Sequence, residues 1–267
     1  MTKIVRSSSN PGVKQALRLR TRRARRETGL FLVEGFREIR RALDAGIGVE
    51  TMWFCPELYL GQSEGELVGR ATAAGADAIQ TAEAPLRRMS YRDRPEGLLA
   101  VCRQFDTSLE QIELGAHPLV LVVESIEKPG NLGTMIRAAS AAGADAVIAA
   151  DPATDVFNPN VVRSSIGTCF VVPIAVGSTE ATIAWLRERG VAICAASPDA
   201  DRKLWDAPLR EPSALVVGSE QYGLSSAFKD AADVLMRIPM PSDAIDSLNA
   251  AASAAIVLFE AVRQRAM

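Results

Sequence analysis

The stretch LVLVVESIEKPGNLGTMIR, residues 119–137, decides the fold of the C-terminal half of the chain. Its first part is a nearly continuous aliphatic run, which predicts a strand buried on both faces of a parallel sheet. A Pro-Gly-Asn loop follows, in which Asn131 is predicted to cap the next helix and Arg137 lies in that helix's second turn. The end of such a strand is a crevice, so the loop is a candidate binding site. An ordinary strand-to-helix turn with a surface arginine explains these residues equally well.

Strand-like and helix-like patterns alternate after residue 118. They predict strands at 119–124, 146–150, 169–175 and 191–196, and helices at 132–142, 159–166 and 179–189. Two further strands and a C-terminal helix complete the pattern. This alternation predicts a parallel sheet covered by helices on both faces. The GxGxxG fingerprint of dinucleotide-binding folds does not follow the first strand, so a cofactor would be held in another way.

The N-terminal half also alternates helix and strand patterns and predicts a smaller α/β domain. FLVEGFREIRRALDAG, residues 31–46, is predicted as an amphipathic helix, and VETMWFC, residues 49–55, as a strand. GELVGRATAAGADAIQ, residues 65–80, repeats that pairing. Residues 104–117 contain acidic residues and little strand pattern, and are predicted to be a linker. The resulting division is 1–103, 104–117 and 118–267.

The net charge of -2 conceals an asymmetry between the two halves. Residues 1–117 carry 18 Lys and Arg against 15 Asp and Glu, whereas residues 118–267 carry 12 against 17. KQALRLRTRRARR, residues 14–26, has seven basic residues and no acidic one. Runs of this kind contact phosphate backbones, which predicts an RNA-binding arm, although a solvated helix face is the alternative.

Cysteine usage and hydropathy favour a cytoplasmic protein. Cys55, Cys102, Cys169 and Cys194 are far apart without CxxC spacing, so they are expected to be reduced core residues. We expect no metal requirement. The N-terminus is polar, and no apolar run reaches the length of a membrane span.

Three further segments share an order and a spacing with residues 124–137. They are ALVVGSEQYGL at 214–224, IPMPSDAIDSLNA at 238–250 and NPNVVRSSIGTCFVVPI at 158–174. The segments 124–137, 214–224 and 238–250 resemble the three signature motifs of the SpoU (TrmH-like) branch of the SPOUT RNA methyltransferases, and 158–174 resembles the family's segment between the first two motifs. The resemblance extends over roughly residues 118–263. That family transfers a methyl group from S-adenosylmethionine to a ribose 2′-hydroxyl.

The resemblance implies an architecture that composition and periodicity do not predict. It implies a C-terminal trefoil knot formed by the parallel-sheet domain, and a homodimer joined through the knotted domain. The start of the N-terminal half is similar to the L30e-like substrate-binding domain that often precedes a SpoU domain. Its presence makes ribosomal RNA, and 23S RNA in particular, a better candidate than transfer RNA.

The resemblance also implies roles for residues of the three motifs. The S-adenosylmethionine pocket would be lined by Gly218, Ser219, Ile238, Met240, Leu248 and Asn249. The catalytic set would be Arg137, Asn131, Ser247, Glu220 and Asn249. Packing in the core would account equally well for the apolar members of the pocket.

Arg137 would hold the ribose and its flanking phosphate and steady the developing alkoxide, since a guanidinium is a poor base. The one histidine, His117, lies in the predicted linker outside every motif. RNA contacts are predicted for the arginines Arg22, Arg23, Arg37, Arg40, Arg41 and Arg163.

Two positions depart from the commonest motif pattern. Lys128 stands where an acidic or amide residue is frequent, and Ser219 stands where asparagine is commoner. These departures leave open the RNA substrate, and whether the role is housekeeping or antibiotic resistance. Three alternatives stay open: a transfer RNA methyltransferase, a catalytically silent RNA-binding protein of the same fold, and a metabolic enzyme with a small phosphate-bearing substrate.

Overall fold

The computed structural model describes residues 4–240 and 248–267. The elements of the N-terminal half are α1 Pro11–Arg18, α2 Arg22–Thr28, β1 Leu30–Glu34, α3 Phe36–Asp44, β2 Val49–Phe54, α4 Glu64–Ala73, β3 Asp77–Gln80, α5 Glu83–Met89 and β4 Leu98–Arg103. Those of the C-terminal half are β5 Leu119–Glu124, α6 Pro129–Ala141, β6 Ala146–Ala150, α7 Pro159–Ser164, β7 Ile174–Gly177, α8 Thr179–Glu188, β8 Ala192–Ala196, β9 Ser213–Val217, α9 Ser226–Ala231, β10 Val234–Met236 and α10 Ala250–Arg265.

The chain divides into two compact units. The first runs to Phe105 and includes Asp155–Val171, and the second comprises Asp106–Thr154 and Val172–Met267. The segment 155–171 therefore packs in the first unit, although its sequence lies inside the predicted C-terminal domain. Two residues of the predicted linker, Leu109 and Ile112, are buried in the core of the second unit.

The first unit is built on a four-stranded sheet in the order β1-β4-β2-β3. β4 is antiparallel to β1 and β2, and β3 is parallel to β2. Residues 31–34, predicted to begin a helix, form most of β1 instead. Gly35 ends this strand at a φ of 102°, and the helix begins one residue later. The four apolar residues 30–33 fit a buried strand and a buried helix equally, so the predicted helix began too early.

The segment 155–171 joins the first unit through an aromatic cluster and a buried ion pair. Phe157 and Phe170 lie with their ring centroids 5.1 and 6.0 Å from that of Phe31. Arg25, only 1 % exposed, forms a 2.6 Å ion pair with Asp155. Arg25 belongs to the basic run at 14–26, which forms α1 and α2, so one of the seven cations in that run is a core residue.

The second unit is built on a six-stranded sheet in the order β10-β8-β9-β5-β6-β7, and every described pair of strands is parallel. All six residues of β5 are buried, as the aliphatic run predicted. Helices α6 and α10 pack on each other, and α10 also contacts β9. The predicted mixed α/β fold with a parallel-sheet C-terminal domain is confirmed.

One predicted strand is placed differently. Thr168–Phe170 form a short 3₁₀ turn, and β7 begins only after Pro173, at Ile174. Cys169 and Phe170 are buried in the first unit, so their apolar character reflects that core and not a sheet. Among the described residues, no helix has the length and hydropathy to span a bilayer.

Candidate functional site

The candidate site lies where parallel strands of the second unit end side by side. In the sheet, Val123 of β5 is paired with Val217 of β9, and Val217 is paired with Ala196 of β8. The loops that follow these three strands therefore leave the same edge of the sheet. This edge is where open α/β sheets bind ligands.

Position 218, directly after β9, has to be glycine, because the backbone of its own loop lies too close to leave room for a side chain. A Cβ atom there would lie 2.6 Å from the nitrogen of Leu224, and closer still to the carbonyl of Gly223. Ser219 and Gly223 close the loop by exchanging two backbone hydrogen bonds of 3.1 Å. No residue larger than glycine fits at 218 while this loop stays closed.

A pocket of about 350 Å³ opens beside this loop. It is lined by five of the six residues predicted to hold the cofactor: Gly218, Ser219, Ile238, Met240 and Leu248. The sixth, Asn249, follows Leu248 directly. Apolar side chains provide a slot suited to adenine, while the charged residues Asp199, Glu220 and Lys229 also line the pocket. This combination fits S-adenosylmethionine, which has an aromatic base, two cationic groups and one carboxylate.

Four side chains from the three motifs meet at Glu220 and form what we call the motif clasp: Lys128, Asn131, Glu220 and Asn249. The Asn131 amide donates to Glu220 Oε1 at 2.9 Å, and the Asn249 amide donates to the same oxygen. Lys128 forms an ion pair with Glu220 Oε2. Both oxygens of the carboxylate are therefore bonded, and the loops after β5 and β9 are tied to the start of α10.

The charges of the clasp stabilise each other. The hydrogen bond from Lys128, together with that from Asn131, holds the pKa of Glu220 below its ordinary value. The same hydrogen bond raises the pKa of Lys128. Glu220 is therefore anionic and Lys128 cationic throughout the neutral range. Lys128 was noted in the sequence only as a departure from the motif, and no local pattern indicated a partner 92 residues away.

Asn131 and Asn249 play different parts from each other. Asn249 caps α10, because its Oδ1 accepts from the backbone nitrogens of Ala251 and Ala252 at 3.0 and 3.3 Å. The prediction that Asn131 caps α6 is wrong. The helix begins earlier, at Pro129, and the residue at its N-cap position, Lys128, makes no side-chain cap. Asn131 therefore lies in the first turn, where its side chain reaches Glu220.

Arg137 lies on the solvent side of α6, six residues after Asn131. Its side chain is exposed, and it makes no hydrogen bond or ion pair with any residue in the described ranges 4–240 and 248–267. The guanidinium is therefore uncommitted and can bind an anionic ligand. Ser247, the remaining member of the predicted catalytic set, lies outside the described residues.

A buried carboxylate that the sequence analysis did not identify connects the strand and helices around the site. Glu124, the last residue of β5, accepts from the Thr179 hydroxyl at 3.1 Å and from the Ser225 backbone nitrogen at 2.8 Å. Ser225 in turn caps α9. Glu124 thus ties the end of β5 to the starts of α8 and α9. Its position as the one charged residue at the end of an aliphatic run was the available signal.

The six arginines predicted to contact RNA all belong to the first unit. Four are exposed on two helices, Arg22 and Arg23 on α2 and Arg37 and Arg40 on α3. Arg41 instead donates to the backbone carbonyl of Ile166 and is partly buried. The sixth, Arg163, is exposed on α7.

The fold and the site define a class of protein. Residues 118–259 match the family model described as SpoU rRNA Methylase family, and residues 10–100 match the MRM3-like substrate binding domain. The chain belongs to the SpoU family, and the resemblance seen in its motifs is confirmed. The expected substrate-binding domain before the SpoU domain is confirmed as well.

Individual relatives match along nearly the whole chain. The 23S rRNA (uridine(2479)-2′-O)-methyltransferase of Streptomyces viridochromogenes is 35% identical over 260 residues, which cover 94% of this chain and 88% of the relative. The 23S rRNA (guanosine(2553)-2′-O)-methyltransferase RlmP of Bacillus subtilis is 29% identical, with 96% and 98% covered. Among solved structures, an AdoMet-bound rRNA methyltransferase from Sinorhizobium meliloti aligns with a TM-score of 0.89 at 32% identity, covering 98% of each chain.

Proposed function

We propose that this protein methylates the 2′-hydroxyl of a ribose in 23S ribosomal RNA, with S-adenosylmethionine as the methyl donor. One observation carries the proposal: Glu220 holds the motif clasp together at the mouth of a pocket suited to the cofactor. Arg137 projects from the same helix as Asn131 and has no protein partner among the described residues. The names of the relatives favour 23S RNA over transfer RNA, and catalysis over a silent RNA-binding role.

The pocket and the clasp position the donor. Gly218 lets the loop 218–223 close tightly, and Glu220 fixes that loop against the start of α10. When bound, S-adenosylmethionine supplies a methyl group activated by an adjacent sulfonium. The residues that line the pocket would hold the cofactor, and the contacts of Glu220 would keep the loop 218–223 in place around it, so that the methyl group is oriented towards the acceptor.

Arg137 acts on the acceptor. A 2′-hydroxyl is a weak nucleophile at neutral pH, and it has to lose its proton as the methyl group is transferred. The guanidinium binds the phosphate beside the ribose and stabilises the negative charge that develops on the oxygen. The proton leaves to that phosphate or to water, since a guanidinium is not a suitable base.

The first unit would bind the RNA substrate. Its exposed arginines Arg22, Arg23, Arg37 and Arg40 supply positive charge to the phosphate backbone. The division into an RNA-binding part, residues 1–103, a linker at 104–117 and a cofactor-binding part, residues 118–267, is part of the proposal. Two segments depart from this division: 155–171 packs with the RNA-binding unit, and 106–117 belongs to the second unit, in whose core Leu109 and Ile112 are buried.

We also propose a cytoplasmic homodimer. Ile256 and Phe259, one turn apart on the alanine-rich α10, are 36% and 50% exposed, which leaves an apolar face for a second copy. The trefoil knot implied by the family stays a prediction, because residues 241–247, between β10 and α10, lie outside the described residues.

Methyl transfer to unmodified ribosomal RNA tests the function. Labelled methyl groups should enter 23S RNA, and the modified position should resist alkaline cleavage. Arg137→Ala should lower the transfer rate at least 100-fold, as loss of a transition-state contact does, while cofactor binding persists. Arg210→Ala is the matched control, because Arg210 is an exposed arginine just before the amino end of β9, at the opposite edge of the sheet. Equal activity of Arg137→Ala and wild type would contradict the proposal.

A further inference from the structure

The first unit contains a polar pocket of about 580 Å³. The start of α3 contributes Phe36, Arg37 and Glu38 to its wall, and the start of α4 contributes Glu64. Arg92, from the loop after α5, and Arg163, from α7, also line the pocket. All of these residues belong to the same compact unit, although Arg163 comes from the segment 155–171.

Glu64 carries an unsatisfied acceptor in the wall of this pocket. The residue is only 5% exposed, and its Oε1 accepts from the backbone nitrogens of Leu60 and Gly61 at 3.0 and 2.7 Å. Its Oε2 is enclosed and has no hydrogen-bond partner among the described residues. A buried acceptor without a partner is costly, which favours a turn of the side chain that brings this oxygen to a donor on a ligand.

Arginines accompany the buried acids. Arg92 donates to Glu38 Oε1 at 2.6 Å and also pairs with Glu96. Burial raises the pKa of Glu38, an effect that the charge of Arg92 opposes. Arg92 and Arg163 also line an adjoining pocket, together with Tyr91 and Arg94. Two carboxylates thus neutralise Arg92, and Arg163 and Arg94 are the cations of this side of the site that can bind a phosphate.

Tyr91 and Arg163 form a stacking platform beside the pocket. The Arg163 guanidinium lies 5.8 Å from the centroid of the Tyr91 ring. Asn160 fixes it in place, because Asn160 Oδ1 accepts from Arg163 Nε at 3.1 Å and from Nη2 at 2.7 Å. The Tyr91 ring is nonetheless 45% exposed. An exposed ring next to a fixed guanidinium is the usual surface on which an unpaired base stacks.

We infer that this pocket receives one unpaired nucleotide of the RNA substrate, and this inference rests on the proposed function. The base stacks on Tyr91 and donates an N–H to Glu64 Oε2, while Arg163, whose side-chain partner Asn160 is neutral, binds its phosphate. Every nucleobase has an N–H donor on its pairing edge, and in a duplex that donor is already used. The pocket therefore selects unpaired RNA over paired RNA, and it lies apart from the cofactor pocket in sequence and in compact unit.

Binding of two RNA probes by the full-length protein tests this inference. One probe is a hairpin with an unpaired loop, and the other is a fully paired duplex of the same length, both measured by fluorescence anisotropy at one salt concentration. Tyr91→Leu and Glu64→Gln should each weaken hairpin binding about tenfold, as the loss of one base contact does, and leave duplex binding unchanged. Tyr91→Phe, which keeps the ring, should bind as the wild type does.

Arg70→Gln is the control, because Arg70 is an exposed arginine of the same unit, paired with Asp44 at the far end of α3. It should have no effect on the preference for the hairpin. Thermal unfolding of each variant separates misfolding from loss of contact. If folded Tyr91→Leu and Glu64→Gln proteins bind the hairpin as tightly as the wild type, the inference is wrong. An equal loss on hairpin and duplex would also refute it, since only general charge or shape would then be involved.

Methyl transfer distinguishes this inference from the proposed function. With an RNA substrate that the wild type methylates, the two variants should raise KM about tenfold and keep kcat. If the wild type methylates RNA and both variants behave as the wild type does, the role of this pocket in RNA binding is refuted, whereas the proposed function is not. If the wild type methylates no RNA, yet its preference for the hairpin depends on Tyr91 and Glu64, the proposed function is refuted, whereas the role of the pocket is not.

Discussion

Replacement of Gly218 by alanine should open the loop beside the cofactor pocket. The added methyl group would lie 2.6 Å from Leu224 N, whereas unbonded heavy atoms normally approach to about 3.5 Å, so the loop must move by about 1 Å. The movement breaks the two Ser219–Gly223 hydrogen bonds, at about 1 kcal/mol each, and overpacking adds about 1–3 kcal/mol. The total is about 3–5 kcal/mol.

This cost should appear in cofactor binding. If S-adenosylmethionine requires the closed loop, a loss of about 3 kcal/mol lowers its affinity about 100-fold. Isothermal titration calorimetry measures that affinity, and urea unfolding measures the part of the cost that reaches global stability. Gly69→Ala is the control: Gly69 lies within α4, where a Cβ would meet no atom within 4 Å, so alanine should stabilise by about 0.5–1 kcal/mol. Wild-type cofactor affinity in Gly218→Ala would refute the reasoning.

Asp155→Asn should destabilise the protein by about 3–5 kcal/mol in urea unfolding, because it leaves the buried guanidinium of Arg25 without its anion; a change below about 1 kcal/mol would show that the pair is not needed. The ratio of cofactor affinities of the wild type and Lys128→Ala should stay constant between about pH 6 and 9, because Glu220 loses its charge only below its ordinary pKa of 4.5 and Lys128 only above its ordinary value of 10.5, and the titration of the cofactor's own amino group affects both proteins alike. A change of that ratio within the range would mean that the clasp does not hold the loop. Burial raises the pKa of the Cys169 thiol to about 12, so this thiol should react with Ellman's reagent at pH 8 only after unfolding; rapid reaction of the native protein would contradict its burial.

Strand β5 was predictable because local sequence determines it. An unbroken aliphatic run of five residues before Glu124 fits a buried parallel strand, and its observed bounds agree with the prediction. The motif residues, Gly218 among them, came from the family resemblance, which periodicity does not supply. The segment at 31–34 was assigned to a helix because it adjoins one, and the glycine at position 35 was the missed sign of a boundary.

The remaining features depend on contacts between residues far apart in the chain. The pairing of Lys128 with Glu220 joins loops that only the sheet order brings together. Local periodicity likewise does not predict the packing of Phe157 and Phe170 against Phe31, because an apolar run favours a strand regardless of what it packs against. For the same reason, the sequence could not place 155–171 in the first unit.

The position of that segment bears on how the chain folds as it leaves the ribosome. An N-terminal domain usually folds once its own residues have emerged, before later domains are made. Here the core of the first unit lacks two of its phenylalanines, and Arg25 lacks its anion, until synthesis has passed residue 170. The nascent first unit therefore stays incomplete while β5, α6 and β6 are translated, and it can complete its core only after part of the second unit has been made.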